Sequence, residues 1–334
     1  MIYDGSRTPF DFLKCRSAFI ATITCDDRPG KLFEALQHCR STIFILRKQN
    51  TPAACRIRSS GYRRWATGVR NFLFPVTTFA AIDGIKIQQS QFPKLASALQ
   101  ISAFDKILDG DNAALGFGTT DTIGKNFVFY QESALYWIKA TVGLPFYSKN
   151  GAIGAPAHGR HLHFANAKIA KAASALMHSN LFCTWFIAHG DCFHLSDNLA
   201  GSIPILRSAL ADDQLEKSGI QLMRDLKKNA EKKTIRTKYG DEISYAEFSA
   251  AASKPIIDEI DTIPAGHHGF TEDELDLSST TTSNTGWAWA AVRTPTPKKI
   301  NQIPHPSWNL SPTSGQWPIN RPGWSCGSLL NLKT

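Results

Sequence analysis

Two short β-branched runs, Ile20-Ala21-Thr22-Ile23-Thr24 and Thr42-Ile43-Phe44-Ile45-Leu46, constrain the fold more than any other feature of the chain. Side chains of this kind suit a pleated surface, so each run reads as a strand. Between them lie Asp26-Asp27-Arg28-Pro29-Gly30-Lys31-Leu32-Phe33-Glu34 and Gln37-His38-Cys39-Arg40-Ser41, both polar. Arg28-Pro29-Gly30 supplies a turn whose φ angles are preset. The unit is a strand, a turn-rich excursion and a strand, and the basic excursion belongs at a rim of a buried sheet rather than inside it.

The net charge of +9 is unevenly placed. Residues 1–70 hold 13 Lys and Arg against 5 acids, residues 71–276 hold 19 against 23, and residues 277–334 hold 5 against none. The basic character therefore sits at the two ends. Beside a sheet rim it fits phosphate contact, since Lys and Arg that displace counterions bind without reading sequence. A solvated face on a mildly basic protein fits the same charge. With 334 residues and 43% hydrophobic residues the chain can bury a sizeable core over two domains. No apolar run approaches the roughly 18 to 20 residues of a membrane span, and the first residues lack the order of a signal peptide. The expectation is a soluble, cytoplasmic protein. Seven cysteines at irregular spacing make neither a disulfide framework nor paired zinc ligands.

In chain order, Arg47 to Arg58 reads as a cationic loop. Tyr62-Arg63-Arg64-Trp65 and Val69 to Pro75 set aromatics among arginines; such interleaving can stack on and neutralise nucleic acid, or mark a surface helix with its Trp and Phe turned inward. Phe92 to Leu108 has helical apolar spacing, with Pro93 suited to a first turn. Asp109 to Gly118 is a turn-rich connector without the glycine spacing of a phosphate-binding loop. Phe127-Val128-Phe129-Tyr130, Leu135 to Ala140 and His161 to Phe164 read as strands of a hairpin-rich sheet. Ala167 to Ala188 reads as one long helix. Cys183, His189, Cys192 and His194 are zinc-type side chains, but their spacing matches no common zinc motif, and no metal is assigned.

Arg207 to Lys238 reads as a charged helix with a basic end at Lys227, Lys228, Lys232, Lys233 and Arg236, where cations offset the helix dipole or meet phosphate. Thr271 and Glu274 have capping-box spacing and predict a helix start, yet Leu277-Ser278-Ser279-Thr280-Thr281-Thr282 cannot continue it. Five of the eight tryptophans and seven of the seventeen prolines fall in the last 58 residues. The expectation is a disordered, out-of-frame tail.

Several of these segments together resemble adenine-specific (N6) DNA methyltransferases of restriction-modification systems. The resemblance covers residues 19–276 and rests on Asp27-Arg28-Pro29-Gly30-Lys31-Leu32-Phe33, Tyr62 to Pro75, the aromatic strands around Tyr130 and Trp137, Leu181 to Asp197, and Ser253 to Asp276. Most distinctive are Ser253-Lys254-Pro255-Ile256-Ile257-Asp258-Glu259-Ile260-Asp261 and Gly269-Phe270-Thr271-Glu272-Asp273-Glu274-Leu275-Asp276. In such enzymes these lie near the natural C-terminus, and the second continues into an apolar helix; this sequence departs at Leu277. The resemblance implies an α/β (α+β) chain: the end of a doubly wound methyltransferase sheet in residues 1–75, a TaqI-like target-recognition domain in 76–206, a helical segment in 207–276 and the tail in 277–334.

Enzymes of this kind bind S-adenosylmethionine at a glycine-rich turn and hold the flipped adenine with an Asn-Pro-Pro-Tyr or Asp-Pro-Pro-Tyr loop. Neither is present here, so no catalytic residue and no cofactor is assigned to this chain, and S-adenosylmethionine belongs to the intact enzyme. The implied function is duplex DNA recognition, with an upstream-encoded catalytic fragment as partner. The alternatives are a complete methyltransferase with a divergent active site and a non-catalytic nucleic-acid-binding module that prefers single strands. The candidate phosphate contacts are Arg28, Lys31, Arg63, Arg64, Lys94, Lys125 and Lys139, with Tyr130 and Tyr136 as base-edge or stacking groups.

Overall fold

The structure, a computed structural model, describes residues 9–27, 30–33, 39–49, 54–84, 92–109, 112–134 and 137–277. A short helix α1 (Pro9–Lys14) leads into β1 (Ser17–Cys25), which pairs antiparallel with β2 (Ser41–Lys48). The register sets Cys25 opposite Ser41 and Ile20 opposite Leu46, so the two β-branched runs, each expected as a strand, are neighbours. On the other side of β1 lies β3 (Arg56–Arg63), parallel to it, followed by β4 (Ala80–Ala81), giving the order β2-β1-β3-β4.

The expected loop from Arg47 to Arg58 is therefore corrected, since β2 runs on to Lys48 and β3 starts at Arg56. Hydropathy hides β3 because its inward residues include Ser59 and Ser60, which are buried beside Ile57, whereas Arg56 stays exposed. Gly61 sits where the register of β3 against β1 shifts, at φ +70°, and a Cβ there would meet the Ala96 methyl at 2.7 Å. The sheet buries both faces. Ile20 and Ile57 join the main core, while Ile23 and Cys25 meet Leu32, Trp65 and Leu73 on the opposite side. Residues Thr67–Phe72 form a 3-10 turn rather than a helix, with Trp65 inward and Phe72 and Phe74 exposed.

Next come α2 (Ala98–Leu108), β5 (Asn112–Ala114), β6 (Phe127–Gln131), β7 (Ala140–Val142), β8 (Tyr147–Lys149), β9 (Ala152–Ile153) and β10 (Gly159–His163). The helix starts five residues after Pro93, because the Ser97 hydroxyl accepts from the Gln100 amide and caps it there. Strands β6 and β10 are those the sequence predicts, in an antiparallel sheet ordered β10-β6-β7. The strand expected over Leu135 to Ala140 begins only at Ala140. Leu135 and Tyr136 lie outside the described residues, and Trp137 closes a turn onto the Ala134 carbonyl at 3.0 Å.

The single helix expected over Ala167 to Ala188 is two, α3 (Ala167–His178) and α4 (Asn180–His189). Ser179 makes the break: its hydroxyl donates to the Leu176 carbonyl at 2.6 Å and accepts from the Phe182 amide at 3.1 Å. Apolar spacing runs through this point, which is why periodicity alone misses it. After α5 (Asp197–Ser202) the strand β11 (Pro204–Leu206) pairs with β5, and α6 (Arg207–Leu210) and α7 (Asp213–Lys228) follow.

The helix expected to reach Lys238 stops at Lys228. Lys232, Lys233 and Arg236 lie on β12 (Glu231–Arg236), which pairs with β13 (Glu242–Glu247) in a sheet ordered β12-β13-β8-β9. The last helix, α8 (Lys254–His267), packs with α3 and α7 around a second core of Leu215, Leu222, Leu226, Ile257 and Ile260. The capping box is formed: the Thr271 amide donates to Glu274 Oε2 at 2.8 Å, the Glu274 amide to Thr271 Oγ1 at 3.3 Å, and residues 272–277 are helical. The tail expectation concerns residues 278–334, outside the described residues. The chain is thus mixed α+β with several sheets, and one apolar core contains residues from Ile20 to Leu210. No described helix is long and apolar enough to cross a membrane.

Candidate nucleic-acid interface

Because β1 and β3 run parallel, their carboxyl ends emerge at the same edge of the sheet, the place where open α/β sheets gather their functional groups. The Asp26 amide extends the pairing by donating to the Arg63 carbonyl at 2.8 Å, which brings two acids onto two arginines. Arg64 Nε lies 2.9 Å from Asp26 Oδ2, and Arg40 reaches Asp26 at 3.4 Å and Asp27 at 3.5 Å. Arg40 also donates to the Tyr62 hydroxyl at 3.2 Å. Both carboxyls are buried. Burial, reinforced by Asp27 alongside, holds the Asp26 carboxyl above the usual carboxylate range despite the hydrogen bond from Tyr62 and the charge of Arg64.

The excursion is pinned to the same edge. The Gly30 amide donates to the Trp65 carbonyl at 2.8 Å, Arg70 Nη2 donates to the Leu32 carbonyl at 2.6 Å, and the Arg40 guanidinium lies 5.1 Å from the Phe193 ring centroid. Segments far apart in sequence, namely Asp26 and Asp27, Gly30 to Leu32, Arg40, Tyr62 to Arg70 and Phe193, thus share one site. Its interior charges are paired, and Lys31 and Arg63 stand half-buried around them.

A second polar cluster joins the middle sheet to α5. The buried Tyr130 donates its hydroxyl to Asp197, and Arg160 bridges Asp197 at 2.9 Å and Glu132 at 2.8 Å. Burial and the Asp197 carboxylate push the Tyr130 hydroxyl far above its ordinary range, so it stays a neutral donor.

The structure places the sequence candidates in different settings. Arg63, Arg64 and Lys31 meet at the sheet edge, where Arg64 turns onto Asp26. Lys94 sends its enclosed ammonium to the Ala188 carbonyl at 3.1 Å, the last turn of α4, and burial lowers its pKa. Lys139 is half-buried with its pKa lowered by burial against the opposing charge of Glu247. Lys125 is exposed ahead of β6, and Tyr130 is a core residue. Arg28 and Tyr136 lie outside the described residues. Sequence reasoning missed Asp26, Arg40 and Tyr62 as a unit. The cue was an adjacent acid pair directly before a strongly basic segment. Arg160, Glu132 and Asp197 have no local cue, since they come together only through tertiary packing.

A nucleoside cofactor such as S-adenosylmethionine needs an open glycine turn and an available carboxylate at such strand ends. Here a Cβ on Gly30 would meet the Trp65 carbonyl at 2.8 Å, and Asp26 and Asp27 face arginines, so these residues do not fit it. No family model, curated protein or solved structure matches the chain.

Proposed function

We propose that this chain is the DNA target-recognition portion of a site-specific adenine-N6 DNA methyltransferase of a restriction-modification system, binding duplex DNA and inactive by itself. Charge carries the reading. From Cys39 to Ile82 there are eight Arg and Lys and no Asp or Glu. That segment supplies three of the four strands of the first sheet and leaves Arg47, Lys48 and Arg56 exposed. A surface of this kind suits a polyanion, because each cation that meets a phosphate releases a counterion. Lys31 and Lys125 are the sequence candidates with the most freedom to take part. Arg64, Lys94 and Tyr130 are held by interior partners, and Lys139 is half-buried.

Methyl transfer to adenine needs the Asn-Pro-Pro-Tyr type of loop and a cofactor turn, which a separately encoded upstream fragment would supply. The open edge of β2 supports such a partner. Among the described residues nothing pairs with its outer side, and it exposes Phe44, Ile45 and Leu46. Edges of this kind add a strand from another chain unless they are blunted.

Selection of bound molecules from a randomised duplex library tests the reading. A recovered consensus of a few base pairs is the expected result, and recovery without any consensus would contradict it. Incubation with labelled S-adenosylmethionine and the selected duplex should give no methyl incorporation. Incorporation would make the chain a complete methyltransferase instead.

A further inference from the structure

We infer that a cationic groove along α7 is a second phosphate-backbone contact, separate from the sheet edge; this rests on the duplex-binding reading above. Four exposed residues of α7, Lys217, Gln221, Arg224 and Lys228, fall at helical spacing on one stripe and line a groove of about 640 Å³, with Ile220 and Ile256 forming its apolar floor. Two acids of the same helix pair away from this stripe, while the third, Asp225, lines the groove and offsets one of its three cations. Asp213 pairs with Lys168, Glu216 pairs with Lys171 at 2.9 Å, and Asp225, at the groove wall, accepts from the Ser253 hydroxyl at 2.7 Å. On a solvated helix, acids and bases four apart ordinarily pair with each other. Here Asp213 and Glu216 pair with lysines of α3, and Lys217, Arg224 and Lys228 outnumber Asp225 along the groove.

The dimensions suit a nucleic-acid backbone. Lys217 to Lys228 spans eleven residues, about 16 Å at 1.5 Å per residue, the axial length over which one strand of duplex presents roughly five phosphates. Gln221, between the cations, can donate to a phosphate or sugar oxygen, and such contacts position a duplex without reading its sequence. An acidic protein surface would meet the same charges. The open groove, with three cations spread along it, favours a polymer whose charge repeats.

The test is the salt dependence of binding to a 30-base-pair duplex of random sequence, followed by fluorescence anisotropy for the wild type and for a Lys217→Gln, Arg224→Gln, Lys228→Gln triple variant. These side chains are exposed, and unchanged far-UV circular dichroism checks that the fold is kept. Each phosphate contact contributes about 0.9 to the slope of log K against log salt, so the triple variant should lose about 2 to 3 from that slope. A second variant, Arg47→Gln, Lys48→Gln, Arg56→Gln, reports the contribution of the first sheet. An unchanged slope in the α7 variant while the wild type binds duplex would overturn the groove and leave the proposed function standing. An α7 variant that instead loses binding to a polyglutamate peptide, with its duplex slope intact, would assign the groove to an acidic protein. A wild type that binds no duplex would overturn both.

Discussion

His178 and His189 are buried on the helix pair α3 and α4, where a charged imidazole has little solvation. His178 Nδ1 lies 2.8 Å from the Ser174 carbonyl and must donate to it, and desolvation pulls its pKa down to about 4. Desolvation and the nearby Lys94 charge pull His189 down to about 3. Asp261 runs the other way: burial raises it to about 7 even though the Asn180 amide and side chain donate to it at 2.6 and 2.5 Å. Below pH 6.5 the unfolded chain takes up protons on these histidines that the folded chain refuses, so stability falls as pH drops from 6.5 toward 4. Asp261 has its proton only in the folded state between pH 3.8 and 7, so its contribution grows as pH drops. Each group is worth on the order of 3 kcal/mol over this window, and with two histidines against one acid the net result is acid destabilisation. Asp261→Asn removes the opposing contribution. Urea midpoints at pH 7 and pH 4.5 should differ about twice as much in this variant as in the wild type, and an equal difference would show that Asp261 is charged in both states.

The role of Tyr130 depends on a partner distant in sequence. An aromatic on a strand invites a stacking role, but a hydrogen bond to a partner 67 positions away is invisible in any sequence window. Tyr130→Phe should cost about 1 kcal/mol by urea unfolding and leave duplex affinity within twofold. A tenfold loss of affinity at unchanged stability would return Tyr130 to the interface.

Elements were legible where composition alone dictates them. The paired runs of β1 and β2, the strand Phe127 to Gln131, the capped turn at Thr271 and the amphipathic α2 all follow from side-chain type and spacing. β3 was not, because serines stand at its buried positions, and the division between α3 and α4 was not, because a single serine makes it. β12 was hidden for another reason: a lysine-rich run becomes a strand only through its pairing with β13. The approach of α7 to α3 also depends on one residue. Gly219 faces the Lys171 carbonyl, which an added Cβ would meet at 2.6 Å. Gly219→Ala should therefore destabilise by about 1 to 3 kcal/mol despite the helix propensity it gains, about 1 kcal/mol. A rise in the urea midpoint would show that the two helices have room to part.

For the whole molecule, the mixed α+β class and the basic first sheet were readable from strand-forming runs and charge distribution. The arrangement of that sheet, with one parallel pair between two antiparallel neighbours, was not, because pairing partners are set by burial between distant segments. The candidate site was half readable. The sequence names Arg64 but not Arg40, and only the fold separates the arginines that clamp Asp26 and Asp27 from the cations left at the surface. The surface cations are proposed to serve duplex DNA. Equilibrium binding of the wild-type chain to matched duplex and single-stranded 30-mers, at 50 and 200 mM salt, tests it most directly. Tighter binding to duplex is expected, with affinity falling by on the order of a thousandfold across that salt range if six or more phosphates are contacted. Binding that favours the single strand, or no binding to either at 50 mM salt, would contradict it.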